Sequence, residues 1–417
     1  MDPITHAASG AVAMLAMPSR PATRLAVPLA ALAAASPDID VLMANTPMQF
    51  LLLHRGITHS LFFAPLLGLV LTLVGCSLWR AHTFGHWRFA KTWLFMTAMV
   101  LLHIWLDCIT TYGTMIFVPF SHMRVRLNAV FIIDLLVTLP LLWAIWRWRA
   151  RRGLLLLAVA WLFVYPGISM GLNAWHTAQT REHLAAQGRT PTQIVVLPDA
   201  FSPLFWRALY SEATPDGPKV YTQGLNVLGM PRGPETAATA LPESMARDLA
   251  RQSVVADAFL QFTLLPVVAP LPADMLPAGA DMAGADLAKA DLAKADLAVL
   301  PANSAAPSYV MVHDQRFGSS LAFVRNLMAK RPSADIPFKY MAELAPAPAP
   351  AEQDTPAAES VAEGGNPTDP AIANTQVFSQ RLLRERMRFS DSGRDSLWQA
   401  PRPPTQPSLL QWLVGLR

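Results

Sequence analysis

Apolar residues crowd into the first 172 positions of this 417-residue chain. Four runs there, 61–79, 92–112, 129–147 and 153–172, approach the roughly 20 residues a helix needs to cross a hydrocarbon core. Nothing else in the sequence limits the fold as strongly, because a segment surrounded by lipid must pair its backbone polar groups within itself and is therefore helical. Two shorter apolar segments, 7–17 and 25–35, precede these runs and are read as helices lying half-deep or packed inside the bundle. Residues 173–417 are polar and rich in proline and alanine. The overall 53% hydrophobic and 15% charged content thus averages two different materials joined end to end.

The expected fold is mostly α: a polytopic helical membrane bundle over 1–172, followed by a smaller soluble α+β domain over 173–345. Within that domain, "TQIVVLPDAFSPLFWRALYSE" reads as strand, turn and strand, and "FLQFTLLPVVA" and "SYVMVHDQRF" read as two more strands. Residues 270–307 carry an A-D-L-A-K repeat, too short to stack a core, and are expected as a low-complexity insertion in a hairpin turn. Residues 346–372 have the composition of an Ala/Pro-rich disordered linker. The tail, 373–417, opens with the amphipathic "VFSQRLLRERMRF", expected as a membrane-surface or docking helix, and ends in "LLQWLVGL".

Charge sets the expected orientation. The net charge of +4 is scattered, with no basic run interleaved with aromatics, so nucleic acid is not an expected partner. The loops 79–91 and 147–153 are basic, and Arg20 and Arg24 flank the turn between the short helices. Such loops face the cytoplasm. The opposite end, with everything after 172, is then periplasmic or extracellular. Arg124 and Arg126 stand against this bias, as charges with a ligand do. The start, "MDPITHAASG", lacks the basic region of a cleavable signal peptide. Cys76 and Cys108 fall in apolar segments and read as buried thiols.

Seven residues are candidate metal ligands: His6, Asp38, Asp40, His54, His59, His103 and Asp107. In "HIWLD", His103 and Asp107 stand at i and i+4 on one helix face, inside an expected span where ionisable groups are costly. "SPDID" sets Asp38 and Asp40 two apart, although Ser-Pro-Asp is also a good helix start. "HRGITHS" holds His54 and His59 around a glycine, with Thr58 or Ser60 able to cap the next helix and Arg55 able to hold an anion such as a phosphate oxygen. Each motif alone has a structural reading as a cap or a helix-joining pair. Together they fall at one membrane face. Imidazoles and carboxylates without thiolates suit a divalent metal, zinc first, with manganese or iron as alternatives. Two metals fit the number of candidates, as does one metal with outer aspartates. The chemistry would be a metal-activated water attacking an ester or phosphoester, with Asp38 or Asp40 as general base and Arg55 on the anion. Asp134 is a further intramembrane carboxylate, read as an outer group or a partner of Arg124, Arg126 or Asn128. His82 and His86 are assigned to the cytoplasmic loop, and His176, His183 and His313 to the surface. H-E-x-x-H and Walker patterns are absent from the sequence.

"MDPITHAASGA", "SPDIDVL", "LLHRGITHSLFFA" and "HIWLDCITTYGTMIFVPFS…R" resemble, over roughly residues 1–175, a bacterial family of inner-membrane metal-dependent hydrolases of the YbcI/YdjM type. The resemblance implies a multi-pass protein of the bacterial inner membrane, with the lipid bilayer as partner. The order His, Asp, His, then His-x-x-x-Asp is also similar to zinc-dependent phospholipase C and P1-type nucleases. That likeness implies phosphoester hydrolysis on a phospholipid or lipid-linked phosphate, with metal on His6, Asp38 or Asp40, His54 or His59, His103 and Asp107. The later ligands of that second group are missing, and only His122 and Asp134 could stand in. The competing reading is a non-enzymatic membrane scaffold or regulator with a structural His/Asp cluster.

Overall fold

The computed structural model describes residues 1–78, 86–215, 217–271, 275–276, 308–329, 338–346, 380–389 and 397–404. Helix α1, Pro3–Ala16, starts where Asp2 accepts a bond from Thr5 N at 3.0 Å and Pro3 needs no donor partner. Most of its residues are buried, and it lies against α2 (Ala26–Ala35), α5 (Phe89–Cys108), α6 (Leu135–Arg147) and α7 (Arg152–Ala186). The contact with α2 depends on small residues. A Cβ on Gly10 would lie 2.7 Å from Ala34 Cβ, so the two backbones meet where Gly10 faces Ala30 and Ala34.

Helix α2 continues into a 3-10 stretch, Ser36–Met43, and the two together form an 18-residue apolar segment. Helix α3, Pro47–Leu53, and the 3-10 turn Ile57–His59 are set at 77° to α4, Ala64–Leu78. Among the described residues, three helical segments are long and apolar enough to cross a membrane: 26–43, 89–108 and 152–186. The bent pair makes a fourth if it counts as one span. The segment 25–35, expected to be short, thus gains length from the 3-10 stretch. The run 129–147 instead yields only the 13 residues of α6, because Asp134 caps the helix at Leu136 N (2.8 Å) and the chain before it is irregular.

The three basic turns converge at one end of the bundle. Trp87 Nε1 donates to Ser19 O at 2.8 Å, Ser19 Oγ meets His86 Nε2 at 2.7 Å, and Arg152 Nε donates to Ala16 O at 3.0 Å. The Asp- and His-bearing motifs lie at the other end. Helix α7, at about 1.5 Å per residue, is long enough to leave that end and carry the chain into the C-terminal part.

That part contains two antiparallel four-stranded sheets. The first, in order β1 (Gln193–Pro198), β2 (Phe205–Thr214), β3 (Gly217–Asn226) and β4 (Pro231–Thr239), packs against the end of α7. His176 is buried there against Trp206, at 5.1 Å between ring centroids, rather than on the surface. Helices α8 (Glu243–Gln252) and α9 (Val254–Phe262) follow, so "FLQF" is helical, capped by Ser253, and only "PVVA" of that expected strand falls in β5 (Pro266–Pro270). The second sheet runs β5, β6 (Ser308–Asp314), β7 (Phe338–Pro346) and β8 (Gln380–Phe389), with α10 (Ala322–Ala329) between β6 and β7. β5 and β6 are antiparallel neighbours, as the ends of a hairpin must be. Most of the insertion between them, residues 347–372 of the linker and "LLQWLVGL" lie outside the described residues, while Pro346 ends β7. "QRLLRERMRF" is strand β8 and not the expected helix. It pairs with β7 over Phe338↔Phe389 to Pro346↔Gln380, and backbone pairing along a neighbour outweighs a local helical pattern.

The second sheet and α9 dock on the membrane-side motifs. Phe50, Leu51 and Tyr112 share one apolar core with Phe259, Phe262, Phe338 and Tyr340. Buried Arg316 pins the joint: Nε pairs with Asp314 (2.7 Å), Nη1 donates to Thr111 O (3.1 Å) and Tyr112 O (3.2 Å), and Nη2 to Phe262 O (2.7 Å). Arg316→Leu would strip three carbonyls of their partner and leave Asp314 uncompensated, a loss of about 3–5 kcal/mol by analogy with breaking other buried pairs. The expected result is a marked fall in thermal midpoint and faster protease cleavage after residue 186 in membranes. An unchanged digest would show that the joint does not depend on Arg316.

Candidate metal centre

The 3-10 geometry of residues 36–43 separates the two aspartates of "SPDID". At about three residues per turn, positions two apart point to different sides of the axis. Asp38 turns toward α5, with Oδ1 3.6 Å from both His59 Nε2 and His103 Nε2. Asp40 turns toward "HRGITHS". Its Oδ1 lies 2.9 Å from His54 Nδ1, and its Oδ2 accepts from Arg55 N (3.0 Å) and Thr58 Oγ1 (2.8 Å) and lies 3.3 Å from His59 Nδ1. Asp40 is 2% exposed, so these bonds are shielded from water.

The turn around Arg55 is strained. Arg55 adopts φ 61°, a left-handed conformation uncommon for a side-chain-bearing residue. Three contacts hold it there. Asp40 takes its amide, Met115 N donates to its carbonyl at 2.9 Å, and its guanidinium lies over the Tyr112 ring at 4.7 Å. Gly56 follows because a Cβ there would come within 2.8 Å of Leu53 O. Thr58, expected as a helix cap, instead serves Asp40, and the Ser60 hydroxyl binds Val118 O and accepts from Phe62 N.

On α5, His103 and Asp107 share a face as the i, i+4 spacing requires, with His103 Nε2 3.6 Å from Asp107 Oδ2. His103 Nδ1 lies 2.7 Å from Ala34 O, where it can only donate, so in the neutral ring Nε2 carries the lone pair. His59 is held in the same sense, with Nδ1 against Asp40 and Thr58 and Nε2 3.1 Å from Asp107 Oδ2. The two Nε2 atoms face each other at 3.0 Å. In the neutral rings neither can donate to the other, so two lone pairs and the oxygens of Asp38 and Asp107 are aimed at one point.

These four residues form one set with ligand atoms mutually within 4.8 Å, and Asp38, Asp40 and His54 form a second. His59, His103 and Asp107 are fully buried, whereas the side chains of Asp38 and His54 keep 19% and 13% exposure, so the site opens on their side. His6 falls outside both sets. Its ring stacks on His103, 3.7 Å between centroids, with Nε2 3.3 Å from Asp107 Oδ1 but no hydrogen bond to either nitrogen. Arg55 does not point to an open anion position: Nη2 pairs with Asp107 Oδ1 at 2.9 Å and Nη1 donates to Thr110 Oγ1 at 3.0 Å. The Met1 amino group also contacts Asp107 Oδ1.

The donor set fits a divalent cation. Three carboxylates face one guanidinium and one amino group, Asp107 Oδ2 is buried without a hydrogen-bond donor, and both imidazoles are fixed from behind by an oxygen acceptor, as metal-binding histidines are. Asp134 and His122 do not join the site. Asp134 accepts from Tyr165 Oη (2.9 Å) and Ser202 Oγ (2.6 Å), tying the bundle to the first sheet, and His122 lines a pocket beside Arg124. Thr110, Tyr112 and the Ala34 carbonyl were not legible as site residues. A backbone carbonyl carries no sequence signal, and the two side chains meet Arg55, Asp107 O and the His54 ring only through the tertiary fold.

Residues 1–176 match the model of the YdjM inner membrane protein family. The uncharacterized protein YfhP of Bacillus subtilis (strain 168) is 33% identical over 162 residues, 36% of this chain and 47% of that protein. The inner membrane protein YbcI of Escherichia coli (strain K12) is 37% identical over 79 residues, 18% of this chain and 42% of that protein. The chain therefore spans less than half the length of each of these relatives. No solved structure matches it. The family match and the apolar helices together make this a membrane-associated protein with transmembrane helices.

Proposed function

We propose that the region carrying this inner-membrane pattern is a metal-dependent hydrolase acting on an ester or phosphoester at the periplasmic face of the inner membrane. The observation that carries the reading is the facing pair of Nε2 atoms, His59 and His103 at 3.0 Å, flanked by Asp38 and Asp107 and each held from behind. In this reading Asp38, His59, His103 and Asp107 hold the cation. Asp40 orients His59 and His54. Arg55 holds Asp107 in place, and His6 closes the wall behind His103. A divalent ion there would lower the pKa of a bound water and polarise the bond to be broken. Asp38 is the carboxylate on the open side and can take a proton from an entering water. It belongs to both candidate sets, so a second cation with Asp40 and His54 is compatible with the same arrangement. Zinc is proposed first, from the nitrogen and oxygen donors and the four-residue set. A phospholipid or lipid-linked phosphate is the proposed substrate class, since the site is built at one end of a bundle of helices long and apolar enough to cross a membrane.

The test is elemental analysis of the detergent-purified chain, with about one or two equivalents of a divalent metal expected per molecule. Release of a phospholipid product that stops on chelation would establish the activity. Metal at background would sink the reading. One observation favours the scaffold alternative: Asp107 Oδ1 already meets Arg55 and the Met1 amino group, which together give a self-paired buried network. That alternative predicts no bound metal, so the same measurement separates the two.

A further inference from the structure

The loop 113–128 carries two arginines away from the basic turns at the other end of the bundle, where the orientation expected from charge disfavours them. A bridge between Thr114 and Val125 sets Arg124 and Arg126 on one face, two residues apart. Both line a pocket of 310 Å³ with Leu52, Met115, Met123 and Phe262, within the range of about 300–1,000 Å³ typical of small-molecule sites. Among the described residues neither has a carboxylate of its own. Arg124 donates to Leu51 O (2.6 Å) and Gly113 O (3.2 Å), which are dipoles without net charge. Arg126 Nε is buried with no hydrogen-bond partner. Among the described residues the carboxylate that offsets it is Asp314, already paired with Arg316. Burial and the neighbouring guanidiniums pull both arginines down to about 10, the direction expected of charges that lack a counter-ion. Gly113, at φ 96°, lets the loop close: a Cβ there would lie 3.1 Å from Arg124 Cβ and from Arg126 Nε.

Met123, on the wall of this pocket, is 59% exposed, and three residues before it in the same loop Phe120 (70%) packs edge-on against Phe62 (56%) at 4.7 Å. Aromatic groups beside arginines at the end of a helical bundle are the pattern of a membrane interface.

We propose that this pocket is a second binding site, which takes a phosphate group through Arg126 and Arg124. The proposal does not rest on the metal reading, although the two sites share a wall, since Met115 lines the pocket and its amide binds Arg55 O. The phosphate can be free or carried by a lipid headgroup, and exposed Met123 on the wall, with Phe120 in the same loop, suits the second.

The test is calorimetric titration of the full chain in detergent with inorganic phosphate, with a short-chain phosphatidic acid, and with the diacylglycerol of the same chain length. Each titration is run before and after chelation, because a metal centre could also bind phosphate. Binding of phosphatidic acid but not diacylglycerol is expected, surviving chelation and weakened roughly tenfold or more by Arg126→Ala, the scale of losing a bond to a charged group. Arg126→Lys should recover part of it, and the thermal midpoint should stay near wild type, since Arg126 braces no backbone group. Equal binding of inorganic phosphate would assign the site to the free anion. Tight binding of the lipid alone would assign it to the headgroup. No binding of either, equal binding of diacylglycerol, binding lost on chelation, or binding indifferent to Arg126→Ala would each overturn the proposal.

Discussion

Substituting His103→Ala together with Asp107→Ala is expected to reduce the bound metal of the purified protein from near stoichiometric to background. The pair supplies one nitrogen and one carboxylate from successive turns of α5, and two missing ligands of four leave no stable site. The change also leaves buried Arg55 without its carboxylate, which costs about 3–5 kcal/mol where a buried pair is broken. A fall in metal must therefore be separated from a fall in folding. Asp38→Asn makes that separation. Asp38 is the most exposed of the four proposed ligands and carries the fewest bonds, so metal should drop while the thermal midpoint of the chelated protein holds. Metal retained at wild-type level in the folded double variant would show that these are not the ligands.

Asp40→Asn is expected to weaken metal binding by about 10–100-fold, although Asp40 lies outside the four-residue set, because outer groups that orient ligands have effects of that size. The amide keeps one acceptor oxygen but presents donors where Arg55 N and Thr58 Oγ1 or His54 Nδ1 already donate. At least one buried donor then loses its partner, at about 1–3 kcal/mol each, and the left-handed conformation of Arg55 loses a tie. Metal competition titrations against a chelating dye should show the weaker affinity, and a stability measurement should show a lower midpoint even without metal. An unchanged affinity would mean that His59 is oriented by Thr58 alone.

Much of the fold was legible because membrane burial leaves a simple record. Apolar runs gave the helical bundle, basic turns gave its two ends, and the meeting of Ser19 with Trp87 and of Arg152 with Ala16 bears out the grouping of those turns. Lengths were less legible. An apolar segment extends when a 3-10 turn continues it, as after α2, and shortens when a carboxylate caps it, as Asp134 does at α6. In the C-terminal part the strand pair β1–β2 was evident from β-branched and aromatic residues bounded by proline. Strand β8 was not, because its partner β7 lies more than thirty residues earlier and local sequence cannot report a distant edge.

The candidate site divides along the same line. Sequence by itself determined the residue types, the shared face of His103 and Asp107, and the gathering of His6, "SPDID" and "HRGITHS" at one end of the bundle, since these follow from helical periodicity and from the direction of each span. Only the tertiary structure decided that Asp38 faces the histidines while Asp40 holds the "HRGITHS" turn, that His6 stacks behind His103, and that Arg55 serves Asp107. The physical reason is that orientation depends on partners from other elements. The carbonyl of Ala34 fixes His103 from α2, a segment whose side chains give no hint of it, and Arg316 brings the second sheet over Tyr112 from more than two hundred residues away.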